Sequence, residues 1–220
     1  MTLIKRASNL LLLAATAGAV VGLSAAPAMA ATTLKVKVTN GGSYTATSSK
    51  TVFTDKTVSV TCSTVGSTPA SKGTGKVPTA TTTATSPVKI GTVATLAFNN
   101  CTSPLTGKVT TTTKALPYSL KIDSKTNSTG QTDGIITGVD ANVKTTGCSF
   151  TVKGSSPGFY TNSTHKLTLT TTSKLPIKPL NSARLTVSNV VGCAGLVVNG
   201  DHPTFKATYT VSRAIVIKST

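Results

Sequence analysis

Gly147-Cys148-Ser149-Phe150-Thr151-Val152-Lys153-Gly154 alternates residue by residue. Cys148, Phe150 and Val152 fall on one side, Ser149, Thr151 and Lys153 on the other. That is the period of a β-strand with one buried face. Glycines bracket it, and Ser155-Ser156-Pro157-Gly158 reads as the turn by which the chain leaves the strand. A cysteine on the apolar side makes the strand a disulfide anchor, with Phe150 and Val152 buried beside it.

The same design recurs outward in both directions. Residues 34–38 place Leu34, Val36 and Val38 on one face and two lysines on the other. Segments 58–62, 93–99, 108–114, 118–122, 166–170, 183–190, 204–211 and 214–218 also read as strands. In 204–211, Phe205, Ala207, Tyr209 and Val211 point inward. Segment 135–143 is a strand interrupted at Gly138, a bulge position. Residues 67–87 are rich in Thr, Ser, Gly and Pro and read as a long loop with one weak strand at 75–77. Residues 123–132 form a polar loop. Pro176 and Pro179 keep 175–180 out of any inner strand. From residue 31 onward no window carries a 3.6-residue period, and β-branched residues dominate. The expected fold is all-β and antiparallel, sandwich-like, with many short strands.

Residues 1–30 read as a secretory signal peptide. Lys5 and Arg6 precede an apolar run from Leu10 to Leu23, and Ala28-Met29-Ala30 is a small-x-small cleavage signal. The run is too short to span a bilayer, which needs about 20 residues. The exported part, 31–220, suits one two-layer domain; a boundary near 115 would divide it into halves 31–115 and 116–220. Its cysteines are Cys62, Cys101, Cys148 and Cys193. An even count in an exported chain implies two disulfides. The surroundings of Cys62 echo those of Cys148, and the residues before Cys101 echo those before Cys193. The favoured pairing is therefore Cys62–Cys101 and Cys148–Cys193, with a crossed pairing left open. No Cys-x-x-Cys occurs, and neither His165 nor His202 stands at ligand spacing, so no metal site is expected.

Charge is the one global functional hint. The formal charge is +17, of which Lys5 and Arg6 contribute two, leaving +15 for the exported part. That part has 18 lysines, two arginines, five aspartates and no glutamate. Lysines at outward strand positions (Lys35, Lys37, Lys121, Lys153, Lys166, Lys206, Lys218) serve solubility and protect edges. They also attract an anionic envelope polymer or surface. Nucleic-acid binding would call for arginine and stacking aromatics, which are scarce here.

Local motifs offer little chemistry. Gly154-Ser155-Ser156-Pro157-Gly158 matches the Gly-x-Ser-x-Gly nucleophile elbow, and Asp201 and His202 follow in hydrolase order. A strand pattern rather than a helix follows Ser156, and Pro157 has no N–H to offer an oxyanion. A secreted hydrolase is thus the weakest alternative, and no catalytic residue and no cofactor is assigned. Asn199-Gly200-Asp201-His202-Pro203 reads as a turn. The run from Asp123 to Asn127 starts like a calcium loop but has Lys125 at a ligand position. Asparagines Asn100, Asn127 and Asn162 head Asn-x-Ser/Thr sequons and mark surface loops. A small-molecule carrier, the other alternative, would line an apolar pocket with Phe150, Phe159, Tyr160 or Tyr209.

With Gly147–Gly154 and Gly192-Cys193 in place, the chain resembles a broad group of exported Thr/Ala-rich β-proteins of high-GC Gram-positive bacteria. The resemblance rests on layout and cysteine positions across 31–220. It implies an all-β fold and carries over no activity and no functional residue. The high lysine content departs from that group. The resulting expectation is a secreted, non-enzymatic protein with a structural, adhesive or binding role at the envelope or outside the cell. Its ligand, oligomeric state and strand order are not fixed by the sequence.

Overall fold

The computed structural model describes residues 32–176 and 183–220. The segment 1–30, read as a signal peptide, and most of the proline-bearing segment 175–180 lie outside the described residues. Sixteen strands follow in order: β1 Thr33–Thr39, β2 Gly42–Ser48, β3 Lys50–Asp55, β4 Val58–Ser63, β5 Ser71–Val77, β6 Ala80–Thr85, β7 Val88–Phe98 and β8 Cys101–Ser103. Then come β9 Gly107–Thr113, β10 Tyr118–Ile122, β11 Gln131–Thr145, β12 Cys148–Thr161, β13 Lys166–Leu169, β14 Leu185–Val191, β15 Thr204–Val211 and β16 Val216–Ser219. Every pairing is antiparallel. The all-β reading therefore holds, and so does the disulfide pairing, Cys62–Cys101 and Cys148–Cys193. Two formed disulfides fit an oxidising compartment, extracellular or periplasmic. No helix among the described residues is long and apolar enough to cross a membrane.

The long hairpin β11–β12 is the spine. It pairs continuously from Gln131↔Thr161 to Thr145↔Cys148, with one register shift at Gly138. Gly138 has φ +80 and stands as the extra residue there, so the expected bulge is present. On one side of it the hydrogen-bonded ladder closes into a ring of eight strands, β12-β13-β15-β2-β5-β7-β10-β11 and back to β12. On the other side the sheet β14-β12-β11-β9-β8-β4-β3-β15 curls around a second core. A separate three-stranded sheet, β16-β1-β6, covers the first core with Leu34, Val36, Val38, Ile215 and Ile217. Phe150, Val152, Val187 and both disulfides belong to the second core. Each core draws on residues before and after position 115, so the sequence halves interleave in space.

Three readings are corrected. Residues 80–85 are a strand, not loop, and the weak strand expected at 75–77 begins earlier, at Ser71; β5 runs between β2 and β7, where Gly73 and Gly75 let neighbouring chains approach closely. The segment Gly154–Gly158 is mid-strand, not a turn. It spans the point where β12 exchanges β14 for β13 as its outer neighbour: Ser155 N–H donates to Arg184 O, and Pro157 O accepts from Thr170 N–H. The missing proline N–H therefore faces the gap between β14 and β13 and costs the β11 ladder nothing. Thr151, expected to face outward, is 5% exposed.

Candidate functional site

Charge is sorted between inside and outside. Sixteen of the seventeen lysines among the described residues are exposed, as are Arg184 and Arg213; Lys121 is half-buried. The strand period places these side chains outward wherever the alternate residues fill a core. All five carboxylates are taken up. Asp55, Asp123 and Asp133 are buried. Asp140 and Asp201 are partly buried and form ion pairs, with Lys153 at 3.3 Å and Lys56 at 2.7 Å. No exposed carboxylate side chain stands among the described residues.

Cross-strand register concentrates the cations further. Lys37 lies directly opposite Lys218, with Lys35 two residues along the same face. Lys89 lies opposite Lys121. Like charges in facing positions destabilise a sheet by a few tenths of a kcal/mol to about 1. Over the outer face of β2, β5 and β7 runs a shallow groove of about 500 Å³. Ser43, Thr45, Thr74, Thr92 and Ser212 line it, with Lys76 at its wall.

Inside, two cavities of about 100 and 90 Å³ occupy the cores. Of the four aromatic residues expected to line a pocket, Phe159, Tyr160 and Tyr209 border the first. Phe150 instead stacks on Phe53 in the second core, ring centroids 5.9 Å apart. The hydroxyls around the first cavity are already bonded. Tyr44 donates to Thr92 O, Tyr118 to Asp140 O and Tyr160 to Ile215 O, while Tyr209 Oη meets Ser71 Oγ at 2.9 Å. Burial pushes the Tyr160 phenol up to about 12, and raises Tyr44 and Tyr209 as well.

The residues in hydrolase order are not assembled. Ser156 is 4% exposed and borders the second cavity among apolar side chains; its Oγ has no hydrogen-bond partner among the described residues. His202 is exposed, and its Nδ1 lies 3.1 Å from Leu185 O and 3.4 Å from Thr186 Oγ1. His202 is thus held at the edge of β14, and no hydrogen bond joins it to Ser156.

A cluster that the sequence did not bring together lies beside the second core. Asp55 closes the β3–β4 hairpin, and its carboxyl lies against Asp201. Burial, then the charge and hydrogen bond of Asp201, push Asp55 up to about 6. Lys56 chiefly holds Asp201 below the usual carboxylate range. Asp201 also accepts from Val198 N–H, and Val187 exchanges backbone hydrogen bonds with Gly200 and Asp201. The arrangement latches the 193–203 loop over the second core. The available signal was alternation: Thr51 and Phe53 point inward, so Asp55 does too.

The sequons serve the fold. Asn127 Oδ1 accepts from Thr129 and Gln131 N–H groups. Asn162 lies in the turn between β12 and β13, as its reading as a loop marker expected, and there bonds both the N–H and the carbonyl of Ile217. Asp123 accepts a hydrogen bond from Ser86 Oγ, while Lys125 is exposed. No group of three or more His, Cys, Asp or Glu able to hold a metal ion occurs among the described residues.

No family model, curated protein or solved structure matches the chain.

Proposed function

We propose that the chain is an exported, non-catalytic β-protein that holds an anionic polymer of the cell envelope, or one outside the cell, on its lysine-bearing exterior. The observation that carries this reading is the sorting of charge. Every carboxylate side chain is buried or ion-paired, whereas sixteen lysines and two arginines reach solvent. A folded surface with cations alone attracts polyanions from every side. Ammonium groups act as hydrated point charges, which suits a flexible polymer better than bidentate recognition of one group. The facing pairs Lys37–Lys218 and Lys89–Lys121 gain when an anion lies between them, which offsets their mutual repulsion.

Two observations weigh against the alternatives. The inner cavities fall well below the roughly 300 Å³ at which small-molecule sites begin, so a carrier role fits them poorly. A hydrolase would need Ser156 within hydrogen-bond reach of a base, whereas its Oγ is buried without a hydrogen-bond partner among the described residues and His202 is bonded elsewhere.

The test is co-sedimentation of oxidised Ala31–Thr220 with an insoluble anionic cell-wall polymer at low ionic strength, beside an uncharged polysaccharide. Retention on the anionic polymer alone is expected. Equal partition onto both, or onto neither, would remove the reading.

A further inference from the structure

Among the described residues the fold closes or covers its sheet edges with one exception. The eight-strand ring has no edge. The free side of β14 bonds to the 198–201 loop through Val187. The free side of β16 is taken by Asn162, which bonds Ile217, and by Thr126, which bonds Ser219. That leaves β6, which ends the three-stranded sheet.

Register identifies the open groups. Ser86 N–H donates to Thr32 O, so Ala80, Thr82 and Ala84 turn their backbone groups toward β1. Thr81, Thr83 and Thr85 turn theirs away. No hydrogen bond reaches those groups among the described residues. Five of the six β6 side chains are exposed. Proteins usually blunt such an edge with lysine, proline or a bulge. Here eighteen lysines are spread over residues 31–220, yet none falls between Lys76 and Lys89; Pro78 and Pro87 flank the strand without entering it.

We infer that the β6 edge is a homodimerisation site, where a second copy of this chain adds its own β6 antiparallel to the first. The occupant follows from charge and symmetry. Two molecules of about +15 repel, and β6 is the strand of this sheet that has no charge to bring against its twin. Antiparallel pairing about Thr83 sets Thr81 against Thr85 and Thr83 against itself, and each pair exchanges two backbone hydrogen bonds. Facing threonines are favourable cross-strand partners. Because β6 is the one open edge among the described residues, the two-fold contact consumes it on both copies and closes at the dimer rather than growing into a fibre. The result is a six-stranded sheet, β16-β1-β6 followed by its symmetry copy, with Lys35, Lys37 and Lys218 repeated on one outer face. This inference does not depend on the polymer-binding reading.

The test is sedimentation velocity of oxidised Ala31–Thr220 from about 5 to about 500 µM, at two salt concentrations; a contact this small is expected to be weak. The average mass should rise toward the dimer with concentration, and the rise should strengthen with salt as repulsion is screened. Thr83→Pro removes one outward N–H and spares the β1 ladder, and Thr83→Lys keeps the N–H but adds charge. Both should stay monomeric with Tm within a few degrees of the parent. A parent monomeric at every concentration and salt would overturn the inference. So would self-association that neither variant reduces. If Thr83→Pro unfolds, Thr83→Lys alone decides by the same criterion.

Discussion

Asp55 ends β3 with its carboxyl turned inward against Asp201, and this gives stability a pH dependence of definite sign. A carboxyl that is harder to ionise when folded stabilises the fold in its protonated form. Its contribution is complete below the ordinary value of 3.8 and is lost as pH rises through about 6. Asp201 runs the other way: its contribution is present above its ordinary value and is lost on acidification. The Tm of the parent should therefore decline between about pH 4 and about pH 6.5, and Asp55→Asn should flatten that segment while leaving the acid limb. Overlaid profiles would show that Asp55 does not titrate as the geometry requires. Gly75 makes a steric prediction. A Cβ there would come within 2.0 Å of Thr92 O and 2.6 Å of the Tyr44 hydroxyl. Gly75→Ala should cost about 2–3 kcal/mol in urea unfolding, by forcing β7 and Tyr44 away. Neither effect was readable in advance. Asp55 stood among five aspartates with no hint of its partner 146 positions on, and Gly75 opened a weak strand whose neighbours, Tyr44 and Thr92, the sequence did not name.

At the scale of elements, most strands that showed in the sequence carry apolar residues on alternate positions, as in β1, β4, β10, β15 and the first half of β12, while the Thr-rich β9 showed through its β-branched residues. The strands that did not show are β2, β3, β6, the short β8 and the first half of β5. Gly and Thr supply the ladder in β5 and β6, and their side chains carry too little apolar bulk to mark a face. In β5 that smallness is required, because the Tyr44 ring crosses over Gly75 to reach Thr92 O. The second half of β12 was hidden for another reason: a proline in a paired strand is tolerated only where its outer neighbour changes, and that change is set by tertiary structure. The disulfides, by contrast, could be assigned from the echo between Cys62 and Cys148. Each closes a span of 39 or 45 residues. Replacing Cys148 and Cys193 together by alanine should lower stability by about 2–4 kcal/mol, measured by urea unfolding of otherwise oxidised protein. A loss below about 0.5 kcal/mol would mean that β12 and the 193–203 loop are held without the bridge.

For the molecule as a whole, the two rims of the β11–β12 spine gather two cores whose polar content is mostly bonded, and the charge that cannot enter them is left outside. The excess of lysine was plain in the sequence. That its counter-charges are all withdrawn from the surface was not, because burial of Asp55, Asp123 and Asp133 depends on contacts far apart along the chain. Polymer binding and β6 pairing should respond to salt in opposite directions, which separates them in one sample. The most direct measurement is the affinity of oxidised Ala31–Thr220 for a soluble anionic cell-wall polymer, titrated at ionic strengths from about 20 to about 500 mM. If the lysine-bearing exterior holds the polymer, binding should be tight at the low end and fall steeply and continuously with salt, and Lys35→Gln/Lys37→Gln/Lys218→Gln should weaken it and make the dependence shallower. Affinity independent of salt, or no binding at the lowest ionic strength, would contradict it.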